Sequence, residues 1–397
     1  MQLPRHEMIG SAAPARWIGL LPVIVVADLL FVPRMLFAFG IPASLLIVMI
    51  ALLREKLSLR GMACFVVLVL SMLASVIFGT ASVRNAVPAE SFKRVLQLTT
   101  ILFYAFYRFD ADGIQDALVK VFRAFYIYLF CLTLLFYLDA DLYEMLFSLI
   151  YPEAMDEMQS NFEHLRFAYF FTDPNSTGYF ICFTLAGYLC LERAAKWAMV
   201  CGVLATMTVI TTQSRGAYVA LLLIFSHLLF LSEARRGTKF GVVAFIALAL
   251  AAIAFTSWDE IMPAYGVFEA RFDQEDDLGG GRIDKYAYFL ENLNLLPFGP
   301  GYHVRRDGIE FRPHSDLIRL NLAYGLLALP ALLHFVLPRR KSQVLLFVVF
   351  VIPFLINTVV DDYRLFPMYL LLLTLLGQVG RHSITQRRPH SGAAGSL

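Results

Sequence analysis

Long apolar runs follow one another along almost the whole chain, and this pattern constrains the fold more than any motif. A bilayer core about 30 Å thick needs about 20 mostly apolar residues per helix. Twelve stretches approach that length: 17–33, 35–53, 61–79, 95–109, 122–138, 173–191, 196–212, 216–232, 240–256, 317–337, 344–360 and 364–380. Hydrophobic residues make up 59% of the 397 residues and charged ones 16%, against about 45–50% and about 25% in soluble domains. The sequence therefore predicts an all-α polytopic membrane protein with about twelve transmembrane helices. The run from Trp17 follows Arg5 and Arg16 as in a signal peptide. It is long, however, and a second run follows at once, so it reads as an uncleaved first helix.

The basic residues orient these helices. With both termini cytoplasmic, the inner loops and tails hold nineteen Lys+Arg. The outer side holds thirteen, six of them in one long loop, and Arg319 inside a span completes the 33. Long loops are exempt from the positive-inside rule, so the comparison is nineteen against seven. Residues 1–380 read as one integral-membrane domain with two outer loops. Loop 139–172 is acidic, and loop 257–316, about sixty residues long, is expected to carry short helices. Residues 381–397 are basic and Gly/Ser-rich and read as a disordered cytoplasmic tail. No internal repeat of the inverted-transporter kind is visible. The five cysteines at 64, 131, 182, 190 and 201 lie in apolar stretches without CxxC spacing, and read as small buried hydrophobes.

Polar residues interrupt the apolar runs at five outer places. In "TTQSRGAYVAL" (211–221), Arg215 stands in a short turn on the side where the positive-inside rule disfavours it. Arginine grips phosphate bidentately and keeps its charge; the plainer reading is an Arg snorkelling to headgroups. In 279–303, three glycines precede Arg282. Ile283–Leu293 then reads as an amphipathic helix with Ile283, Ala287, Leu290 and Leu293 on one face, closed by the turn "PFGPG". A flexible run into a helix N-terminus can favour an anion. In "RPHSDLIRLNLAYG" (312–325), His314 lies beside Arg312 and Ser315 at the outer end of the tenth stretch. Arg319, one turn on, is an intramembrane charge and so a functional candidate by default. In "FFTDPNSTGYF" (170–180), Thr172 or Asp173 can cap the sixth span with Pro174 in its first turn, leaving Asn175 as a spare polar group. In "NTVVDDYRLFP" (357–367), Asp361, Asp362 and Arg364 share a tight turn whose plainer reading is a salt bridge. Two DxD patterns, Asp110/Asp112 and Asp139/Asp141, lie apart from the basic residues, so no metal site is expected.

Three of these features in this order resemble the O-antigen ligase and polymerase superfamily: Ser214-Arg215-Gly216 in a short outer turn, Arg282 followed by Pro297-Phe298-Gly299-Pro300-Gly301, and Pro313-His314-Ser315 followed by nine residues and Gly325. Asp173-Pro174-Asn175 at a span start is also common there. The resemblance covers roughly helices six to twelve and includes the twelve-helix plan. It implies transfer of a glycan from an undecaprenyl-diphosphate carrier to an acceptor sugar hydroxyl at the periplasmic face of the bacterial inner membrane, without metal or cofactor. The two diphosphate-binding arginines fall on Arg215 and Arg282 and the catalytic histidine on His314. Arg312, Ser315, Arg319, Asn175 and Asp361 are expected to support them. The ligase pattern places Gly, Thr or Tyr where this sequence has Ala328.

The leading expectation is a polymerase of O-antigen or exopolysaccharide repeat units. A ligase joining glycan to a lipid A core is the alternative, and a polysaccharide or lipid transporter the rival of another class. The implied partners are the lipid-linked donor, a glycan or lipid A-core acceptor, membrane lipid and other polysaccharide-assembly proteins. No nucleic acid is among them. The chemistry suits the residues: a diphosphate is already a good leaving group, so arginines need only stabilise its charge. A histidine of pKa near 6.5 can take the acceptor's proton.

Overall fold

The computed structural model describes residues 20–32, 42–53, 57–79, 88–108, 114–150, 155–169, 171–231, 282–301, 305–306, 309–310 and 315–385. These form helices α1 (Leu21–Phe31), α2 (Ser44–Leu52), α3 (Leu59–Ala74), α4 (Pro88–Leu102), α5 (Ile114–Leu138), α6 (Ala140–Ile150), α7 (Met155–Glu163), α8 (Pro174–Leu191), α9 (Ala195–Thr211), α10 (Arg215–Ser226), α11 (Arg282–Glu291), α12 (Asp316–Tyr324), α13 (Ala328–Val336), α14 (Val344–Ile356) and α15 (Leu365–Thr385). One two-residue antiparallel ladder pairs Arg305 with Glu310 and Arg306 with Ile309. The fold is all-α, as expected.

The twelve full-length spans are not reached among the described residues. Two helical runs, Leu59–Phe78 and Ile114–Leu138, are long and apolar enough to cross a membrane, and five apolar helices are shorter. The stretch 240–256 lies outside the described residues. The two long runs do not behave as core helices of a soluble protein. Only 33% of the apolar window of each is buried, so most of that surface needs an apolar surrounding. On α5 the outward stripe is Ile127, Cys131, Leu134 and Leu138, spaced by three and four residues, while Phe122, Phe125, Leu129 and Phe136 face inward. This stripe explains why Cys131 is exposed. Cys190 is exposed as well, and only Cys182 and Cys201 are buried, so the uniform burial expected of the cysteines does not hold.

The centre of the molecule is α8. Its sequence, PNSTGYFICFTLAGYLCL, is interrupted by Asn, Ser, Thr and Gly, yet nearly all of it is buried, against α5, α9, α10, α14 and α15. A helix surrounded by protein does not need lipid-grade hydropathy and profits from small residues where backbones approach. At Gly178 a Cβ would lie 2.7 Å from that of Ala217, and at Gly187 it would strike Leu372. Asp173 caps this helix, accepting the amides of Asn175 at 3.0 Å and Ser176 at 3.1 Å, with Pro174 following.

The tenth apolar stretch is not one helix. Gly325, at φ +86°, ends α12, and α13 begins three residues later. A Cβ on Gly325 would collide with Leu296 O and Phe298 N, because the loop 294–301 is packed into the break. Leu326 N donates to Leu296 O at 2.8 Å and Gly301 N to Ala323 O at 2.9 Å. Ser71 of α3 donates to Pro297 O and Tyr324 O, and Ser75 accepts Gly299 N. The "PFGPG" turn is therefore part of the packed body. The C-terminal segment expected to be disordered from 381 is helical to Thr385.

Candidate active site

Three segments that carry candidate residues are helix N-termini. The first is the turn before α10. Gln213 takes the left-handed region at φ +51°, unfavourable for a non-glycine residue. The turn is stapled from outside: Gln213 Nε2 donates to His164 O at 3.2 Å, and Arg166 Nε to Thr212 O at 3.3 Å. Ser214 caps the helix, accepting Ala217 N. Arg215 follows as the first helical residue, with its side chain exposed. Gly216 leaves room for α8 and α14, since a Cβ there would run into the Tyr179 hydroxyl and lie 3.0 Å from Ile356 Cδ1.

The second is α11, which begins at Arg282. Its packed side differs from the expected one. Ala287, Leu290 and Leu293 are exposed, while Phe289 is buried and Tyr286 half-buried. The two aromatics bury more area, and the Tyr286 hydroxyl has a polar destination as well: it donates to Leu355 O and lies 3.3 Å from Ser315 Oγ. Arg282 stands one turn before Tyr286.

The third is α12. Ser315 is its N-cap, accepting Ile318 N at 3.4 Å, and Asp316 N donates to Asn357 O at 3.1 Å. His314 is the residue before the cap. His314 and Arg312 lie outside the described residues, as does the side chain of Arg282.

The three segments thus meet one short stretch. Leu355 receives Tyr286, Ile356 lies against Gly216, and Asn357 receives the amide of Asp316. Two helix N-termini, those of α10 and α12, adjoin the C-terminal end of α14, and α11 reaches the same place through Tyr286 in its second turn.

A buried ionic network lies directly behind. Arg319, with 6% of its surface exposed, donates one nitrogen to Asp361 and another to Asp316 Oδ1 at 2.5 Å. The other oxygen of Asp316 accepts the amides of Val359 at 2.6 Å and Val360 at 3.0 Å. Gln97 donates to Asp361 O and accepts Arg94. Arg319, expected to stand as an intramembrane charge, is thus tied to two carboxylates, and the network pins the 357–361 turn to α12. The expected internal salt bridge of that turn is replaced: Asp362 accepts the amides of Arg364 and Leu365, and Arg364 donates to Val32 O. Asn175, expected as a spare polar group, donates to Asp173 Oδ1 within the α8 cap. Asp139 likewise accepts Leu142 N as a cap, and Asp110 and Asp112 lie outside the described residues. Sequence reasoning missed Asp316, Gln97 and Tyr286. The spacing Asp316-x-x-Arg319 was a signal for the first, and nothing local marked the other two.

Residues 200–333 match the family model described as O-antigen ligase. This match supports assignment to the O-antigen ligase and polymerase superfamily. The matched segment is about a third of the chain and contains Arg215, Arg282, Arg312, His314, Ser315, Arg319 and Gly325, whereas Asn175 and Asp361 lie outside it. The chain has no significant match among curated proteins or solved structures. The superfamily is one of membrane proteins, and a ligase- or polymerase-type glycosyl transfer accords with the exposed apolar helices above.

Proposed function

We propose that this protein is a metal-independent glycosyltransferase of the bacterial inner membrane, with about twelve spans in a single integral-membrane domain and both termini cytoplasmic. It takes glycan from an undecaprenyl-diphosphate carrier at the periplasmic face and extends surface-polysaccharide repeat units. The observation that supports the reading is the meeting of the α10 and α12 N-termini at 355–357, where α11 also packs through Tyr286. A helix N-terminus carries positive potential even where a side chain caps one of its amides. A cation placed there alone is unfavourable by about 0.3–1 kcal/mol, so an arginine in that position suits an anion bound between them.

In this reading Arg215 and Arg282 hold the diphosphate. The acceptor hydroxyl attacks the anomeric carbon and passes its proton to His314. The bond from that carbon to the phosphate oxygen breaks, a bond to the acceptor oxygen forms, and undecaprenyl diphosphate leaves with its charge matched by the arginines. Lipid anchoring positions the donor, since the diphosphate can sit only at headgroup depth. Ser315, with the Arg319–Asp361 pair behind it, holds His314 in register, and Arg312 adds positive potential beside it. Ligation of glycan to a lipid A core uses the same residues with a different acceptor. The Ala328 departure favours polymerase.

Arg215→Lys tests the diphosphate role. It keeps the charge and loses the bidentate fork. One charge-assisted hydrogen bond is worth about 1.5–3 kcal/mol, so donor affinity and transfer together should fall about 10- to 150-fold. The check is titration of the purified protein with lipid-linked donor. A lysine variant with wild-type affinity and turnover would return Arg215 to ordinary headgroup anchoring.

A further inference from the structure

A second basic feature lies at the other end of the same helices. A cavity of about 420 Å³ is lined by Gly61, Arg108, His334, Arg339, Arg340 and Gln343, among others, with no carboxylate among its described lining residues. Its distance from the candidate active site follows from the helices. On α3, Ser71 and Ser75 hold the 297–299 loop, while Gly61 lines the cavity at least ten residues earlier, or about 15 Å at 1.5 Å per residue. On α15, the Asp362 cap lies at the active-site end and Gly377 at the cavity end. The loop charges assign this end to the cytoplasm.

The cavity has an ordered polar wall. Arg339 donates to His334 Nε2 at 3.0 Å and to His334 O at 3.2 Å, and its amide donates to Gln343 Oε1 at 2.7 Å. Arg340 is half-buried beside it, and Arg60, next to Gly61, is exposed at the same end. Guanidinium groups gathered in one concavity repel one another, and a multivalent anion converts that repulsion into attraction. Its lining includes exposed apolar residues, Leu57 and Leu337. A site of this size falls within the range of small-molecule sites, about 300–1,000 Å³. Basic clusters beside the inner leaflet attract anionic headgroups.

We propose that this cavity binds a phosphate-bearing anion, either the headgroup of an anionic phospholipid with its chains on Leu57 and Leu337 or free phosphate. The inference does not rest on the transfer reaction. The test measures the melting temperature of the full-length purified protein in detergent with phosphatidylglycerol, inorganic phosphate or diacylglycerol added. A saturable rise with phosphatidylglycerol and none with diacylglycerol is expected if the source is lipid; an equal rise with inorganic phosphate identifies the free anion. The double variant Arg339→Gln/Arg340→Gln should need at least about tenfold more ligand for the same rise, and Arg339→Lys/Arg340→Lys should keep most of the response. If the double glutamine variant does not fold, Arg340→Gln alone carries the comparison. No rise with either phosphate-bearing probe, or equal responses from wild type and the glutamine variant, overturns the proposal.

Discussion

Replacing His314 by alanine should lower turnover about 10²–10⁴-fold while donor binding stays nearly unchanged. In the proposed mechanism the base contributes to proton transfer in the transition state, whereas the arginines hold the diphosphate. His314 is next to Ser315, whose hydroxyl caps α12 and lies 3.3 Å from the Tyr286 hydroxyl, one turn after Arg282. The proposed base and one proposed diphosphate ligand thus belong to chain segments fixed to each other by a named contact. His314→Lys should not restore turnover, because an ammonium at neutral pH is a poor proton acceptor. Expression-matched variants in a polysaccharide-deficient strain, together with donor titration of the purified proteins, check both halves. Wild-type polymer from His314→Ala would remove the histidine from the mechanism.

The second large effect concerns folding. Asp316→Ala should destabilise the protein by about 3–5 kcal/mol, the cost of breaking a buried pair by removing one partner. Arg319 would lose one of its carboxylate partners, and the amides of Val359 and Val360 would lose their acceptor. A fall of several degrees in melting temperature is the readout, and Asp316→Asn, which retains an oxygen for the amides, should lie between the two. If Asp316→Ala melts with the wild type, the network does not hold the 357–361 turn to α12.

Much of the architecture was legible because period and length carry it. The described helices fall on eleven of the twelve apolar stretches, and the Asp173-Pro174 cap forms as its spacing indicates. What could not be read was long-range. Gly325 appeared as one residue in an apolar run, and only the packed 294–301 loop makes it a break. The face of α11 was misassigned because aliphatic periodicity outweighed two packed aromatics, one of which, Tyr286, meets Ser315 and Leu355. Arg319 read as functional because it is a charge inside an apolar run, and its partners, Asp316 one turn before it and Asp361 in a distant turn, were not read with it. The three candidate segments were grouped by side and chemistry, and the physical junction at 355–357 was invisible in a run of apolar residues.

Transfer itself is the most direct test. Purified protein is incubated with an undecaprenyl-diphosphate-linked repeat unit in EDTA, and both glycan products and free undecaprenyl diphosphate are measured. The account predicts longer glycan and one undecaprenyl diphosphate released per bond formed, at the same rate with and without the chelator. Donor left intact in EDTA, with transfer restored only by magnesium or manganese, would contradict a mechanism that relies on Arg215, Arg282 and His314 alone.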